Sequence, residues 1–224
     1  MNKIDGTFSA SSYCSLCDQL GDLDSDLKAV LDTFGYPPMW FRPNTFETLV
    51  HIILEQQVSL ASAKAALEKL RSVIGEINPE AFLKLDDEQL RSCYFSRQKT
   101  SYVRNLANEI VNNGFDFESL EALSNDQVRQ ALVSLKGIGN WTADVYLMFT
   151  LQRADIFPFG DLAAVKAMRA VKNLDATVSK EELISLATRW SPYRTIATMI
   201  LWHYYLSVRI KPASLPEIKT QASR

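Results

Sequence analysis

Two glycines separated by one apolar residue interrupt the helical pattern of the chain in the segment Leu135-Lys136-Gly137-Ile138-Gly139-Asn140-Trp141-Thr142-Ala143-Asp144. Glycine has no Cβ, so it can adopt positive φ and allows close approach of another backbone or an anion. Mostly apolar residues follow up to Leu151, which predicts a buried helix whose N-terminal N–H groups and dipole attract anions. Because a lone G-x-G motif is weakly specific, the segment predicts either a phosphate-binding hairpin or an ordinary tight connection between packed helices.

Apolar residues recur at helical spacing along nearly the whole chain, and no segment alternates as a half-buried strand does. Capping signatures such as Asn44-Thr45-Phe46-Glu47 and Ser179-x-x-Glu182 mark helix starts, and glycines such as Gly75 and Gly114 mark helix ends. Together these signals delimit about ten helices. We therefore expect an all-α fold without a sheet.

The pattern L-x-G-I-G-x-W-T-A, followed by the turn Phe157-Pro158-Phe159-Gly160-Asp161, resembles the helix-hairpin-helix superfamily of DNA base-excision glycosylases. The resemblance is greatest to the 3-methyladenine DNA glycosylases of alkylation repair. Further matching segments span most of the chain: Phe41-Arg42-Pro43, Phe46-Glu47-x-Leu49-Val50, Ile53-Leu54-Glu55-Gln56-Gln57-Val58-Ser59, Ser96-Arg97-Gln98-Lys99, and Arg189-Trp190-x-Pro192-Tyr193-Arg194 with Trp202.

The resemblance implies a two-lobed helical bundle with a cleft between the lobes. Residues 1–43 together with 156–224 would form one lobe, and residues 44–155 would form the middle lobe that contains the helix-hairpin-helix motif. The polar tail from Pro212 to Arg224 is expected to be loosely ordered.

The net charge of −2 does not by itself indicate a nucleic-acid partner. Its distribution is more informative: residues 161–224 carry ten basic and five acidic side chains, whereas residues 1–50 carry three and seven. This asymmetry fits either one face that meets DNA or solvated helix faces with no partner.

No apolar run approaches the ~20 residues of a membrane span, and the N-terminus lacks signal-peptide features. We expect an intracellular monomer, located with the DNA and without a membrane partner.

Three cysteines, Cys14, Cys17 and Cys93, do not suggest a disulfide framework. Cys14 and Cys17 have metal-ligand spacing, but a tetrahedral zinc site needs a second pair of ligands. Some members of the superfamily hold an iron–sulfur cluster with four cysteines near the C-terminus, and this chain has no cysteine after Cys93. We expect no cofactor and no protein-ligated transition metal.

Asp161 matches the catalytic aspartate of the family. A carboxylate beside the sugar can stabilise the positive charge of an oxocarbenium-like transition state and orient the attacking water. Asp161 also precedes Leu162-Ala163-Ala164-Val165, where it would be a good helix N-cap, and the two roles are compatible. Asp144 and Asp155 are nearby rivals, but neither occupies the family position.

Trp141 occupies the hairpin position at which the strand-cleaving members of the superfamily have a lysine that forms a Schiff base. Tryptophan cannot do so, which favours simple hydrolysis. An electron-rich indole can also select a cationic alkylated purine by cation–π stacking. By resemblance, Trp141 and Trp202 are expected to line the base pocket, with Tyr193, His203 and Trp190 as further candidates. For Trp190 and Tyr193, the helical spacing favours core packing over a place in the pocket.

The remaining expected contacts are with the DNA itself. Lys136, Gly137, Gly139 and Thr142 would bind the backbone, and the glycine carbonyls could hold a monovalent cation, as in relatives. Flipping the target nucleotide costs a few kcal/mol and leaves a gap in the duplex. Gln56 or Gln57 lies where the family places the wedge residue that fills this gap; a polar helix end is the alternative interpretation.

The sequence thus predicts a monofunctional DNA glycosylase that removes alkylated purines, namely 3-methyladenine or 7-methylguanine, from duplex DNA after base flipping. Two alternatives remain open at this point. One is a glycosylase for another class of lesion, and the other is a non-catalytic helix-hairpin-helix DNA-binding protein, for which Asp161 would be dispensable.

Overall fold

The computed structural model describes residues 6–210. Within this range the chain forms thirteen α-helices and no strand, apart from one isolated bridge between Thr7 and Arg153, so the all-α prediction is confirmed. The helices are α1 Ala10–Leu23, α2 Ser25–Phe34, α3 Phe46–Glu55, α4 Leu60–Ile74, α5 Pro79–Leu83, α6 Asp87–Ser92, α7 Arg97–Asn113, α8 Phe117–Glu121, α9 Asn125–Val133, α10 Asn140–Phe149, α11 Leu162–Val171, α12 Lys180–Thr188 and α13 Arg194–Ile210. The predicted polar tail lies outside the described residues.

Three helices exceed the number expected from sequence. Two of them, α6 and α8, have six and five residues, too few for a helical period to be recognised. The third, α1, is rich in serine, which has a weak intrinsic preference for helix. Its buried residues Tyr13, Leu16, Cys17 and Leu20 nevertheless have helical spacing, so the pattern was present in the sequence.

The chain divides into two compact units. The first, which we call the middle unit, is Phe41–Leu151 and contains α3 to α10. The second, the terminal unit, consists of the described residues before Phe41 and after Leu151 and contains α1, α2 and α11 to α13. The lobes proposed from sequence, with changes after residues 43 and 155, remain a prediction.

Helix α3 is the central element of the middle unit. Eight of its ten residues are buried, and it packs against α4, α7 and α10. Helix α10 is equally enclosed, with every residue from Thr142 to Phe149 buried. Burial of such large apolar side chains stabilises the fold by about 1.5–3 kcal/mol each. The core thereby fixes the C-terminal end of α3 and the N-terminal end of α10.

Helix α13 organises the terminal unit by packing against α1, α2 and α11. Trp190 is fully enclosed in this unit and donates its indole N–H to Asp24, the N-cap of α2. Lys172 at the end of α11 bonds both Asp24 and Asp26 at 2.8 and 2.7 Å. Trp190 is therefore a core residue, as its helical spacing allowed.

None of the helices in residues 6–210 is long and apolar enough to cross a membrane. The same residues contain no group of three or more histidine, cysteine, aspartate or glutamate side chains that could hold a metal ion. Cys14 is an exposed free thiol and Cys17 a buried one. Burial raises the pKa of Cys17 to about 12, which keeps it protonated and a poor metal ligand at neutral pH.

Candidate active site

The predicted hairpin joins α9 to α10 in the middle unit. Gly137 has φ +87, a left-handed conformation that residues with a Cβ rarely adopt. A Cβ at this position would lie 2.0 Å from a ring carbon of Tyr102 on α7. Both the backbone conformation and the packing therefore require glycine at position 137.

Gly139 differs from Gly137, although nothing in the sequence distinguishes the two glycines. It is the N-cap of α10, with extended backbone at φ −104 and ψ 179, and a Cβ there would have no atom within 4 Å. Of the two hairpin glycines, only Gly137 therefore uses the positive φ that glycine permits. The described structure therefore does not require glycine at position 139. A residue without a Cβ does, however, allow a ligand to approach the first turn of α10 closely.

Gln56 links the end of α3 to the hairpin. Its side-chain amide donates hydrogen bonds to the carbonyl of Gly137 and the hydroxyl of Thr142, both at 3.0 Å. Thr142 is only 1% exposed, so its expected contact with DNA is corrected: its side chain is a buried partner of Gln56. The next residue, Gln57, is exposed and has φ +59. The Gln56 side chain is thus bonded within the middle unit, whereas the Gln57 side chain makes neither of these contacts. Gln57 is therefore the better candidate for the wedge.

The two hairpin carbonyls of the proposed cation site each accept one hydrogen bond from the protein. The Gly137 carbonyl accepts from the Gln56 amide, and the Gly139 carbonyl accepts the first hydrogen bond of α10, from the Ala143 N–H at 3.1 Å. A carbonyl oxygen has two lone pairs, so each retains one for a monovalent cation. The cation site stays a prediction, and we derive no chemistry from it. Lys136, in contrast, has an exposed side chain, while its backbone N–H donates to Asn105 at 3.0 Å.

The candidate catalytic carboxylate belongs to the terminal unit. Asp161 is the N-cap of α11, and its Oδ1 atom accepts from the Ala164 N–H at 2.7 Å. The same oxygen accepts from the indole Nε1 of Trp202 at 3.0 Å. Asp161 is partly exposed, so solvent can reach this group. The N-cap role is confirmed, and the two donors hold the carboxylate in a fixed orientation.

One aromatic residue of the terminal unit bonds this carboxylate, and a second packs against the first. Trp202 lies on α13, and Trp40 packs edge-on against it, with ring centroids 6.2 Å apart. Both indoles are partly exposed. Sequence analysis missed Trp40, which follows the breaker stretch Tyr36-Pro37-Pro38; an aromatic residue just before the matching segment Phe41-Arg42-Pro43 was the available signal.

The other pocket candidates have different positions. His203 bonds the backbone carbonyl of Phe34 through Nε2 at 3.0 Å and packs edge-on against the Phe34 ring, so it belongs to the contact between α13 and α2. Adjacent helical residues point about 100° apart, so His203 does not join Trp202 at Asp161. Tyr193 is partly exposed just before α13, and its backbone N–H donates to Trp190. Trp141, partly exposed in the first turn of α10, belongs to the middle unit.

The rival aspartates form structural ion pairs. Asp144 is buried against Arg129, with Nη2 at 2.8 Å, and burial raises the pKa of Asp144 although Arg129 opposes the effect. Asp155 pairs with Arg194 at 2.7 Å and also bonds Ser191. Burial acts to raise the pKa of Asp155, but the hydrogen bonds from Arg194 and Ser191 outweigh it and the pKa is lowered. Both carboxylates are committed to partners within their own unit.

The chain matches the model of the HhH-GPD superfamily of base excision DNA repair proteins over residues 50–192. A crystal structure of a DNA-3-methyladenine glycosidase from Bacillus halodurans superposes with a TM-score of 0.75 at 29% identity, covering 92% of this chain and 95% of that one. A 3-methyladenine DNA glycosylase of Schizosaccharomyces pombe, in complex with abasic DNA, superposes with a TM-score of 0.77 at 28% identity, covering 84% and 95%. A candidate DNA-3-methyladenine glycosylase of Bacillus subtilis is 25% identical over 186 residues; the match covers 80% of this chain but only 65% of that longer protein.

The matched segment includes the hairpin, its anchor on α3 and the Asp161 turn, and it exceeds half of the chain. This chain therefore belongs to the HhH-GPD superfamily of base excision DNA repair proteins.

Proposed function

We propose that this protein is a monofunctional DNA glycosylase that hydrolyses the N-glycosidic bond of alkylated purines, 3-methyladenine or 7-methylguanine, in duplex DNA. The observation that carries the proposal is the partly exposed Asp161 carboxylate, held by Ala164 and by the indole of Trp202. Membership of a base excision repair family and the activities named for the Bacillus halodurans and Schizosaccharomyces pombe proteins support it.

The proposed reaction uses Asp161 as the charged group beside the sugar. As the bond between C1′ and the base nitrogen breaks, the base leaves with the bonding electrons and positive charge develops on the sugar. Asp161 stabilises that charge and orients the attacking water, whose proton passes to the carboxylate or to solvent. The products are the free base and an abasic site. An alkylated purine is already cationic, so it departs as a neutral base.

The aromatic residues give the proposed selectivity for a cationic base. An indole face stabilises a cation bound over it by roughly 0.5–2 kcal/mol, and a neutral purine does not gain this electrostatic stabilisation. Trp202, which bonds Asp161, and Trp40, which packs against Trp202, are the first candidates in the terminal unit, with Trp141 as a further candidate in the middle unit. Because Trp141 provides no amine, the strand is left uncut.

The hairpin is the motif that we propose binds the DNA backbone. The open first turn of α10 at Gly139 offers backbone N–H groups to a phosphate, and Lys136 adds a positive charge nearby in the sequence. Gln57 is the proposed wedge. The proposed partner is duplex DNA with alkylated bases. We expect the protein to act as a monomer and to be located with the DNA.

A panel of duplexes, each with one defined lesion, tests this function. We expect the protein to release 3-methyladenine or 7-methylguanine, and to leave a strand that breaks only after alkali treatment. Release of oxidised or mismatched bases alone would assign another lesion class. Binding of every duplex with steep salt dependence but no base release would identify a non-catalytic DNA-binding protein.

A further inference from the structure

One face of α7 contacts the hairpin and the end of α3, directly before the proposed wedge. Lys99, Tyr102 and Asn105 are each three residues apart, so they form neighbouring positions on one side of the helix. Lys99 reaches the end of α3, whereas Tyr102 and Asn105 reach the hairpin. All of these residues belong to the middle unit.

Lys99 holds the end of α3 just before the wedge turn, residues 56–58. Its ammonium donates to the carbonyl of Leu54 at 2.6 Å. This carbonyl is among the last four of α3, which have no partner within the helix, and a cation suits that end of the dipole. Lys99 is partly buried, and this burial lowers the pKa of its ammonium. The Lys99 ammonium loses part of its hydration when it is buried, and its hydrogen bond to Leu54 offsets part of that loss.

Tyr102 and Asn105 hold the hairpin from the same helix. The Tyr102 ring fills the space that a Cβ of Gly137 would need, and its hydroxyl is bonded by the Gln98 amide at 2.5 Å. Asn105 accepts the backbone N–H of Lys136 at 3.0 Å. The turn that precedes Gly139 is thereby fixed by packing on one side and by a hydrogen bond on the other.

A direct link closes the arrangement. Gln56, the first residue of the wedge turn, donates to Gly137 and Thr142, so the wedge turn is bonded directly to the hairpin that α7 holds. Gln57 then takes φ +59, an uncommon conformation for a residue with a side chain, which persists only where the surroundings impose it. Before Gln57, the Gln56 side chain is held by Gly137 and Thr142, and after it the Val58 N–H donates to Glu55 at 3.5 Å.

We propose that α7 is a brace: Lys99, Tyr102 and Asn105 are positioning residues that fix the Gln57 wedge relative to the phosphate-binding hairpin. The proposal rests on the proposed function, because it takes Gln57 and the hairpin as the parts that meet DNA. Its consequence is a preference for DNA with a gap in the base stack. A fixed wedge enters an abasic position at low cost, whereas intact duplex must first be unstacked.

The test compares binding to a duplex with a tetrahydrofuran abasic analogue and binding to the matching intact duplex. Lys99→Met keeps the length of the side chain and removes the donor, Lys99→Arg keeps a cationic donor, and Lys64→Met removes an exposed lysine of α4 as a control. We expect Lys99→Met to lower the preference for the abasic duplex by about tenfold, with affinity for intact duplex within about twofold of wild type. Lys99→Arg should restore most of the preference, and Lys64→Met should leave it unchanged.

The brace would be overturned if Lys99→Met preferred the abasic duplex as strongly as the wild type does, or if Lys64→Met lost as much of the preference as Lys99→Met. It would also be overturned if the wild-type protein bound the two duplexes equally well. If Lys99→Met does not fold, Asn105→Ala carries the same test through the contact with Lys136. Base release is measured on the same preparations. A wild-type protein that prefers the abasic duplex but releases no base would contradict the proposed function and leave the brace to be decided by the binding ratio.

Discussion

The indole N–H of Trp202 and the backbone N–H of Ala164 converge on one oxygen of Asp161, at 3.0 and 2.7 Å. A side chain from α13 and the first turn of α11 thus hold a single carboxylate from two directions. Two donors on one oxygen restrict rotation of the carboxyl group more than either donor alone would. This arrangement combines a helix N-cap with a group that can face a reacting sugar.

Trp202→Phe tests the second donor. The substitution keeps an aromatic ring but removes the N–H, so Asp161 should remain a cap and lose its fixed orientation. We expect single-turnover base release to slow by about tenfold, which corresponds to about 1.4 kcal/mol of transition-state stabilisation. Tyr36→Phe is the matched control, because it also removes a hydrogen-bond donor from an aromatic residue of the terminal unit, the hydroxyl that bonds Asp18, and should change the rate by less than about threefold. Equal effects of the two substitutions would argue against the role of the indole N–H.

The two glycines of the hairpin should respond differently to alanine. Gly137→Ala meets Tyr102 and an unfavourable φ, and should destabilise the fold by about 1–3 kcal/mol. Gly139→Ala has space and an ordinary backbone conformation, so stability should change by less than about 0.5 kcal/mol while affinity for duplex DNA falls by about tenfold. Denaturant unfolding and DNA titration separate these effects. Undiminished DNA binding by Gly139→Ala would contradict the proposed approach of a phosphate at this position.

The sequence indicated the helices, the hairpin and the cap at Asp161 because each depends on residues close together in the chain. It did not distinguish Gly137 from Gly139, since the difference lies in Tyr102, which is 35 residues before Gly137. The same limit applies to Gln56, whose partner Thr142 is 86 residues away. Contacts between distant helices leave no periodic pattern, so the burial of Thr142 against Gln56 could be recognised only in the folded chain.

Gln56 and Gln57 should differ in what they contribute. Gln56→Ala removes the hydrogen bonds to Gly137 and Thr142 and should destabilise the protein by about 1–2 kcal/mol. Gln57→Ala removes an exposed side chain, so stability should remain within about 0.5 kcal/mol of wild type. Fluorescence of 2-aminopurine beside the lesion reports flipping, and it should fall in Gln57→Ala. A flipping signal that is unchanged in Gln57→Ala would exclude this residue as the wedge.

Asp155→Asn tests an ion pair outside the proposed chemistry. The pKa of Asp155 is lowered in the folded protein, so its contribution to stability is present above the pKa of the unfolded chain, about 3.9, and is lost as the pH falls. We expect the variant to be less stable than wild type by about 1 kcal/mol at pH 7, after allowance for solvent screening, with a difference that narrows below about pH 4. Unfolding measured from pH 3 to 7 checks this. A difference that does not depend on pH would show that the pairing with Arg194 is not its cause.

Asp161→Asn is the most direct test of the central claim. The amide oxygen of asparagine can still accept from Ala164 and Trp202, so the cap and the fold should persist while the negative charge is lost. We predict that base release from methylated duplex DNA falls by about a hundredfold or more, with duplex affinity nearly unchanged. Release by Asp161→Asn at the wild-type rate would contradict the assignment of Asp161 as the catalytic residue.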